Sequence, residues 1–301
     1  MLTIEKSHPN NAYLSFRRDH MKERACFLTM TATGHYWRTS YIRELSFVIQ
    51  EADGFSQTRC LTENEPDEYD LLEKLPSLLG SFDTLYTFNG TAFVLPYLAR
   101  KYHAYRLEDK DPFVPYRAEG KNVDLLRTLR PFEGILGLPS LRLRDFNQFF
   151  KLEDSCCDAA LLAAVSVLSF YKRQLKASPS DVTARLEDGF LILRVTYDQP
   201  FPAPLSYRDD ITHVRYDGHE LHLAVPVKDG CVRLYYPDYE NYDYLPAEGY
   251  AVHKSLSAFI SASHRVKAEK TTCYSLIPAE TLIKNERRLI SYLTSLLNYL
   301  I

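Results

Sequence analysis

The chain has no Cys-x-x-Cys pair, no run of 18 apolar residues and no surplus of basic side chains. The last absence says most about partners. Its 36 Lys and Arg stand against 39 Asp and Glu, a formal net charge of -3. A protein that lives on a polyanion usually carries a basic surplus, so nucleic-acid binding here requires a local basic patch. The missing apolar run excludes a membrane-spanning helix. Met1 to Arg24 is polar, with Arg17, Arg18, Lys22 and Arg24, and lacks an apolar core of signal-peptide length. The reading is a cytoplasmic protein with no membrane partner. The six cysteines (Cys26, Cys60, Cys156, Cys157, Cys231 and Cys273) have no His at zinc-finger spacing. Adjacent Cys156 and Cys157 are either a redox or metal pair or two small buried residues opening a helix. The second fits better, because free cysteine behaves as a small core hydrophobe.

What is present is ordinary for a globular protein: 46% apolar and 25% charged residues in 301, enough for one large or two modest domains. Residues 25–31 read as a buried strand. Tyr41–Glu51 and Ser56–Leu61 read as a hairpin turning at Asp53-Gly54. A helix opens at Glu65-Pro66-Asp67 and runs to Leu79, with Leu71, Leu72, Leu75, Leu78 and Leu79 at helical spacing and Pro76 as a kink or stop. Thr84–Phe88 is a strand ending in Asn89-Gly90, and Ala92–His103 is a helix. Residues 106–121 read as loop and Val123–Leu129 begins a further element. Leu141–Phe150 and Asp154–Lys172 read as helices, the second buried on several sides. Lys176–Asp181 (KASPSD) is a linker. Residues 183–237 then carry hairpin turns at Asp188-Gly189, Asp217-Gly218 and Asp229-Gly230, which predict antiparallel sheet. A helix near Lys254–Ser261 and a helical tail near 285–300 follow. The expected organisation is an N-terminal extension (1–24), an α/β domain (25–175), a linker (176–182) and a smaller, mainly β, Tyr-rich domain (183–301) ending in a helix.

Three motifs carry chemistry. The first is the strand and turn Phe27-Leu28-Thr29-Met30-Thr31-Ala32-Thr33-Gly34. The second is Asn89-Gly90-Thr91-Ala92-Phe93-Val94-Leu95-Pro96. The third is Asp124-Leu125-Leu126-Arg127, then Leu129-Arg130-Pro131 and Leu136-Gly137-Leu138-Pro139. Together they resemble the YprB-type ribonuclease H-like proteins of bacteria, within the DEDD exonuclease superfamily. The Tyr-rich stretch Leu234–Pro246 with Val252-His253-Lys254-Ser255 is similar to the C-terminal extension of clostridial members. The resemblance implies a ribonuclease H-like mixed β-sheet flanked by helices. In that family the first strand reads Asp-x-Glu, which aims two carboxylates from one face of a strand at a divalent cation.

Carried over by position, the DEDD quartet falls on Thr29, Thr31, Val94 and Asp158, so three of its four carboxylates are missing. A hydroxyl is neutral and cannot offset a cation's charge, and valine cannot ligate at all. The resemblance therefore implies the fold without the activity: a catalytically inactive 3′–5′ exonuclease homologue, with no catalytic or metal residue and no cofactor, that keeps a scaffold for nucleic acid or a protein partner. Restoring Asp, Glu and Asp at 29, 31 and 94 is expected to recreate metal binding. Two other readings stand beside it. One is an active exonuclease using Mg2+ or Mn2+ through relocated ligands, with Asp124 the nominee beside Asp158. The other is a protein-interaction module built on the Tyr-rich domain. Asn89 and Phe93 are candidate cleft-lining residues, although Asn-Gly also suits a plain turn. Arg127, Arg130, Arg142 and Arg144 are the candidate phosphate-binding surface. Asp124 reads more readily as a turn or cap acid, His35 as a loop residue, and His253 as a helix start. Tyr235, Tyr236, Tyr239, Tyr242 and Tyr244 suit either base stacking or a half-buried sheet.

Overall fold

The computed structural model describes residues 1–118, 120–136, 138–152, 158–202 and 204–300, without side chains at 134 and 135. Cys156, Cys157, Gly137 and the Asp154 start of the expected helix lie outside the described residues. The protein is mixed α/β and divides into two units, Met1–Glu133 with Leu138–Phe170, and Gly134–Gly137 with Tyr171–Ile301.

The first unit is built on a six-stranded sheet. Strand β1 (Thr3–Ser7) and helix α1 (Ala12–His20) precede β2 (Ala25–Ala32), β3 (Ile42–Gln50) and β4 (Phe55–Leu61). Helix α2 (Glu65–Leu79), β5 (Thr84–Thr87), α3 (Leu95–Ala104) and β6 (Asn122–Asp124) follow. The strand order is β1-β4-β3-β2-β5-β6. β1 to β4 pair antiparallel, and β2, β5 and β6 run parallel. Short helices α4 (Val114–Ala118), α5 (Leu125–Leu129), α6 (Glu133–Leu136) and α7 (Phe146–Phe150) lead to α8 (Asp158–Val165) and α9 (Leu168–Lys176). The unit boundary falls inside α9, ahead of the expected linker.

Alternation along β2 separates two faces. Cys26, Leu28 and Met30 join the core that includes Leu71, Leu75 and Leu98 of α2 and α3. The other face carries Phe27, Thr29 and Thr31, and α8 packs on β2 and β3. Ala159, Ala160, Ala163 and Ala164 of α8 are all buried, and their small side chains let a helix lie close to a sheet.

Helix α2 keeps the bounds the pattern predicts. Asn64 caps it by accepting the Asp67 N–H at 3.0 Å. Pro76 does not end it, since the helix continues to Leu79. Proline lacks the N–H that would bond the Leu72 carbonyl, and the buried Tyr102 hydroxyl donates to that carbonyl instead at 3.0 Å. The single helix expected over 154–172 is two helices parted at Ser166-Val167. The Ser166 hydroxyl bonds the Ala163 carbonyl at 2.6 Å, a local bond that competes with the helix ladder.

Residues 1–24 are part of this unit. Arg17 is fully buried, with its guanidinium 4.7 Å from the Phe27 ring and 4.6 Å from the Tyr86 ring. It donates to Ser166 Oγ at 3.0 Å and pairs with Glu23 at 2.7 Å. Its charge is thus neutralised and stacked, as burial of a cation requires.

The second unit opens with β7 (Asp181–Glu187), β8 (Phe190–Thr196), β9 (Leu205–Arg208), β10 (His213–Asp217) and β11 (Glu220–Pro226). They form an antiparallel sheet of order β7-β8-β11-β10-β9. Asp188 and Gly189 turn between β7 and β8 with φ of 50° and 79°, the two positive values a tight hairpin demands. Next come β12 (Cys231–Tyr235), β13 (Tyr242–Leu245), β14 (Tyr250–His253), α10 (Lys254–Ser257), β15 (Val266–Lys267), β16 (Tyr274–Pro278), α11 (Ala279–Ile283) and α12 (Glu286–Leu300). β12 pairs with β16, and β13 lies between β14 and β15. Leu289, Leu293, Leu296 and Leu300 make the buried stripe of α12. Tyr235 stacks on Tyr299 at 3.9 Å and Tyr236 on Tyr242 at 4.9 Å, two separate ring pairs. Tyr239 remains exposed. His253 caps α10 through Nδ1, which accepts the Ser255 N–H at 3.2 Å.

No helix among the described residues is long and apolar enough to cross a membrane.

Candidate functional site

The C-terminal half of β2 presents two hydroxyls where α8 begins. Thr29 and Thr31 are two residues apart and share a face. Register sets Ser46 opposite Thr29 and Glu44 opposite Thr31. Arg59 of β4 lies opposite Ser46. Its guanidinium grips Glu44 with both arms, Nε to Oε1 at 2.8 Å and Nη2 to Oε2 at 3.1 Å. The Ser46 hydroxyl donates to the same Glu44 Oε1 at 2.7 Å.

Asp158, in the first turn of α8, is half-buried and has Arg144 Nε 3.9 Å from Oδ1. Arg144 also acts on Glu44. Among the described residues the carboxylates at this site are Glu44, gripped by Arg59, and Asp158, with the exposed Arg144 at the outer limit of an ion pair. Among the described residues no group of three His, Cys, Asp or Glu is spaced to hold a metal. Two hydroxyls and two arginine-paired acids do not fit Mg2+, which wants several oxygen ligands with net negative charge.

Arg59, with help from Ser46, holds the Glu44 carboxyl below the usual carboxylate range. A carboxyl lowered by folding adds stability that is complete above its unfolded pKa and is lost as pH falls toward the folded value. Glu44→Gln should lower Tm by roughly 2–4 °C at neutral pH, for a pair worth about 1 kcal/mol. The gap between variant and parent should close as melts are repeated down to about pH 3. A gap that persists in acid would refute this.

Val94 does not join this site. It closes the tight turn Gly90–Val94 and is 4% exposed, within the core that contains Leu28. Leu28 lies on the opposite face of β2 from Thr29 and Thr31. An aspartate at 94 would thus sit in apolar surroundings, at odds with its place in the quartet that the motif alignment gives.

Asp124 is buried and occupied. Its Oδ1 accepts the Asn89 N–H at 2.9 Å and its Oδ2 accepts the Thr91 N–H at 3.0 Å. It fixes the turn after β5, where Asn89 takes a left-handed φ of 58°. Phe93 is half-buried, with its ring 5.7 Å from both His35 and Tyr97. Arg127, Arg130, Arg142 and Arg144 are all exposed. Of these only Arg144 enters an ion pair among the described residues, so no contact gathers the four.

Sequence reasoning missed Glu44, Ser46 and Arg59 as neighbours of the threonines. The signal was there in Arg43-Glu44-Leu45-Ser46-Phe47, whose alternation sets Glu44 and Ser46 on the face away from Leu45 and Phe47.

Comparison of the chain with protein-family models and with curated proteins returns no match. The fold and site define a mixed α/β protein with a hydroxyl- and arginine-lined patch on its six-stranded sheet.

Proposed function

We propose that the first unit is a ribonuclease H-like fold of the YprB type, without a working metal site, that serves as a scaffold for nucleic acid or a partner protein. The strand order β4-β3-β2-β5-β6, three antiparallel strands followed by two parallel ones, supports the fold. The observation that carries the functional reading is the pair Thr29 and Thr31. They occupy the face of β2 on which α8 packs, where an Asp-x-Glu strand would aim its carboxylates. The acids near them, Glu44 and Asp158, are held by arginines. Two-metal hydrolysis needs several acids to clamp both ions, and among the described residues this patch offers only Glu44 and Asp158, each beside an arginine.

The test rebuilds the clamp. The triple variant Thr29→Asp, Thr31→Glu, Arg144→Ala leaves Val94 in the core and frees Asp158. Calorimetry should then record Mn2+ binding at least roughly tenfold tighter than in the parent chain, since each added carboxylate contributes to affinity. A folded variant with no gain would mean that these positions do not converge on one point, and the reading would fail.

A further inference from the structure

The second unit encloses a cavity of about 480 Å³, within the range of small-molecule sites. Its floor is one face of the β12–β16 ribbon. Arg233 and Tyr235 are two apart on β12 and share that face. Register sets Leu276 opposite Arg233 and Tyr274 opposite Tyr235. Tyr244 of β13 stands beside them, its ring 6.2 Å from that of Tyr274. Val225 and Pro226, at the end of β11, add an apolar wall.

Two groups here bear on a ligand. Tyr235 is 4% exposed, and its buried hydroxyl has the Arg233 guanidinium as polar neighbour and no acceptor within hydrogen-bond distance. Arg233 lies 4.6 Å over the Tyr274 ring, and among the described residues it pairs with no carboxylate. The groups that act on its charge are Tyr235, Tyr274 and Tyr244. Arg233 is also the group that opposes the upward push of burial on the Tyr235 hydroxyl, so cation and hydroxyl point into one neighbourhood.

A guanidinium is a planar fork of donors that matches a carboxylate, and tyrosine faces suit a flat ring. The charge around the cavity limits the ligand further. Lys228 and Arg233 are outnumbered by Asp210, Asp229 and Glu248, which repels a polyanion but tolerates one negative charge. We infer that this cavity binds a small aromatic monocarboxylate, with its carboxylate on Arg233 and the Tyr235 hydroxyl and its ring against Tyr244 and Leu276. The inference is independent of what the first unit does.

The test uses the full chain and phenylacetate, with phenethylamine and phenyl phosphate as the cationic and dianionic comparators, followed by calorimetry and ligand-observed NMR. Phenylacetate should bind saturably at one site and more tightly than either comparator. Arg233→Gln should weaken it by roughly tenfold or more, as loss of a charged fork does. Tyr235→Phe should weaken it by about threefold. Absence of phenylacetate binding at millimolar concentration, equal binding of either comparator, or indifference to Arg233→Gln would overturn the proposal.

Discussion

Gly90→Ala should cost about 3 kcal/mol or more and lower Tm by roughly 6–12 °C. The reason is steric. A β-carbon at residue 90 would overlap Thr87 Oγ1 and Cβ and come within 2.8 Å of Cγ2. Thr87 has nowhere to go. It is fully buried on β5, and its hydroxyl donates to Asn122 Oδ1 at 2.9 Å on the neighbouring strand. The turn is pinned as well, since Asp124 holds the N–H groups on both sides of Gly90. Thermal melts of the double variant Thr87→Gly, Gly90→Ala provide the control. With the threonine side chain gone, the added cost of alanine should fall below about 1 kcal/mol, a coupling expected only of groups in contact. A Gly90→Ala variant as stable as the parent would show that this close approach does not exist.

Lys101→Met should cost about 3–5 kcal/mol, equivalent to roughly 6–20 °C in Tm. Glu68 is fully buried on α2 and Lys101 is 4% exposed on α3, with Nζ 2.8 Å from Glu68 Oε2. Glu68 also accepts the Ile42 N–H at 2.8 Å and the Tyr105 hydroxyl at 2.6 Å. The lysine reaches the Ser40 carbonyl at 2.6 Å. This buried pair fastens the connection between β2 and β3 to α2 and α3, and so sets the strand ends where Thr31 and Glu44 meet. Methionine keeps most of the volume of lysine but strands a buried carboxylate. Adding Glu68→Gln removes that charge and should recover at least about half of the loss. Melts of the single and double variants decide it: no recovery would mean the cost is one of packing alone.

What could be read from the sequence follows from how local each signal is. α2 was legible because its acidic opening residues and its leucine spacing lie within one segment. β2 was legible as an apolar strand, and the Thr-x-Thr spacing fixed which residues share its outer end. β1 gave no signal because all five of its residues are exposed, which leaves no periodicity to detect. The burial of Arg17 was illegible too. Arginine is rarely interior, and its partner Ser166 is 149 residues away. The arginine lock on the patch was hidden for the same reason. Arg59 and Arg144 reach Glu44 and Asp158 through strand register and tertiary packing, which no spacing rule encodes. Val94 was placed by motif alignment on the metal site, whereas the turn at Gly90 drops its side chain into the core. The cavity in the second unit was foreshadowed only as a tyrosine-rich stretch. Its distinguishing feature, Arg233 and the buried Tyr235 hydroxyl beside the rings of Tyr244 and Tyr274, needed the pairing of β12 with β16.

The central claim is that the patch at Thr29 and Thr31 does not hold catalytic metal. The most direct measurement is a Mn2+ and Mg2+ titration of the unaltered chain by calorimetry, run alongside digestion of a 5′-labelled single strand. The account predicts no saturable metal binding and no metal-dependent shortening of the strand. Micromolar binding together with metal-dependent shortening, both abolished by Asp158→Asn, would contradict it and would show that relocated ligands had rebuilt an active site.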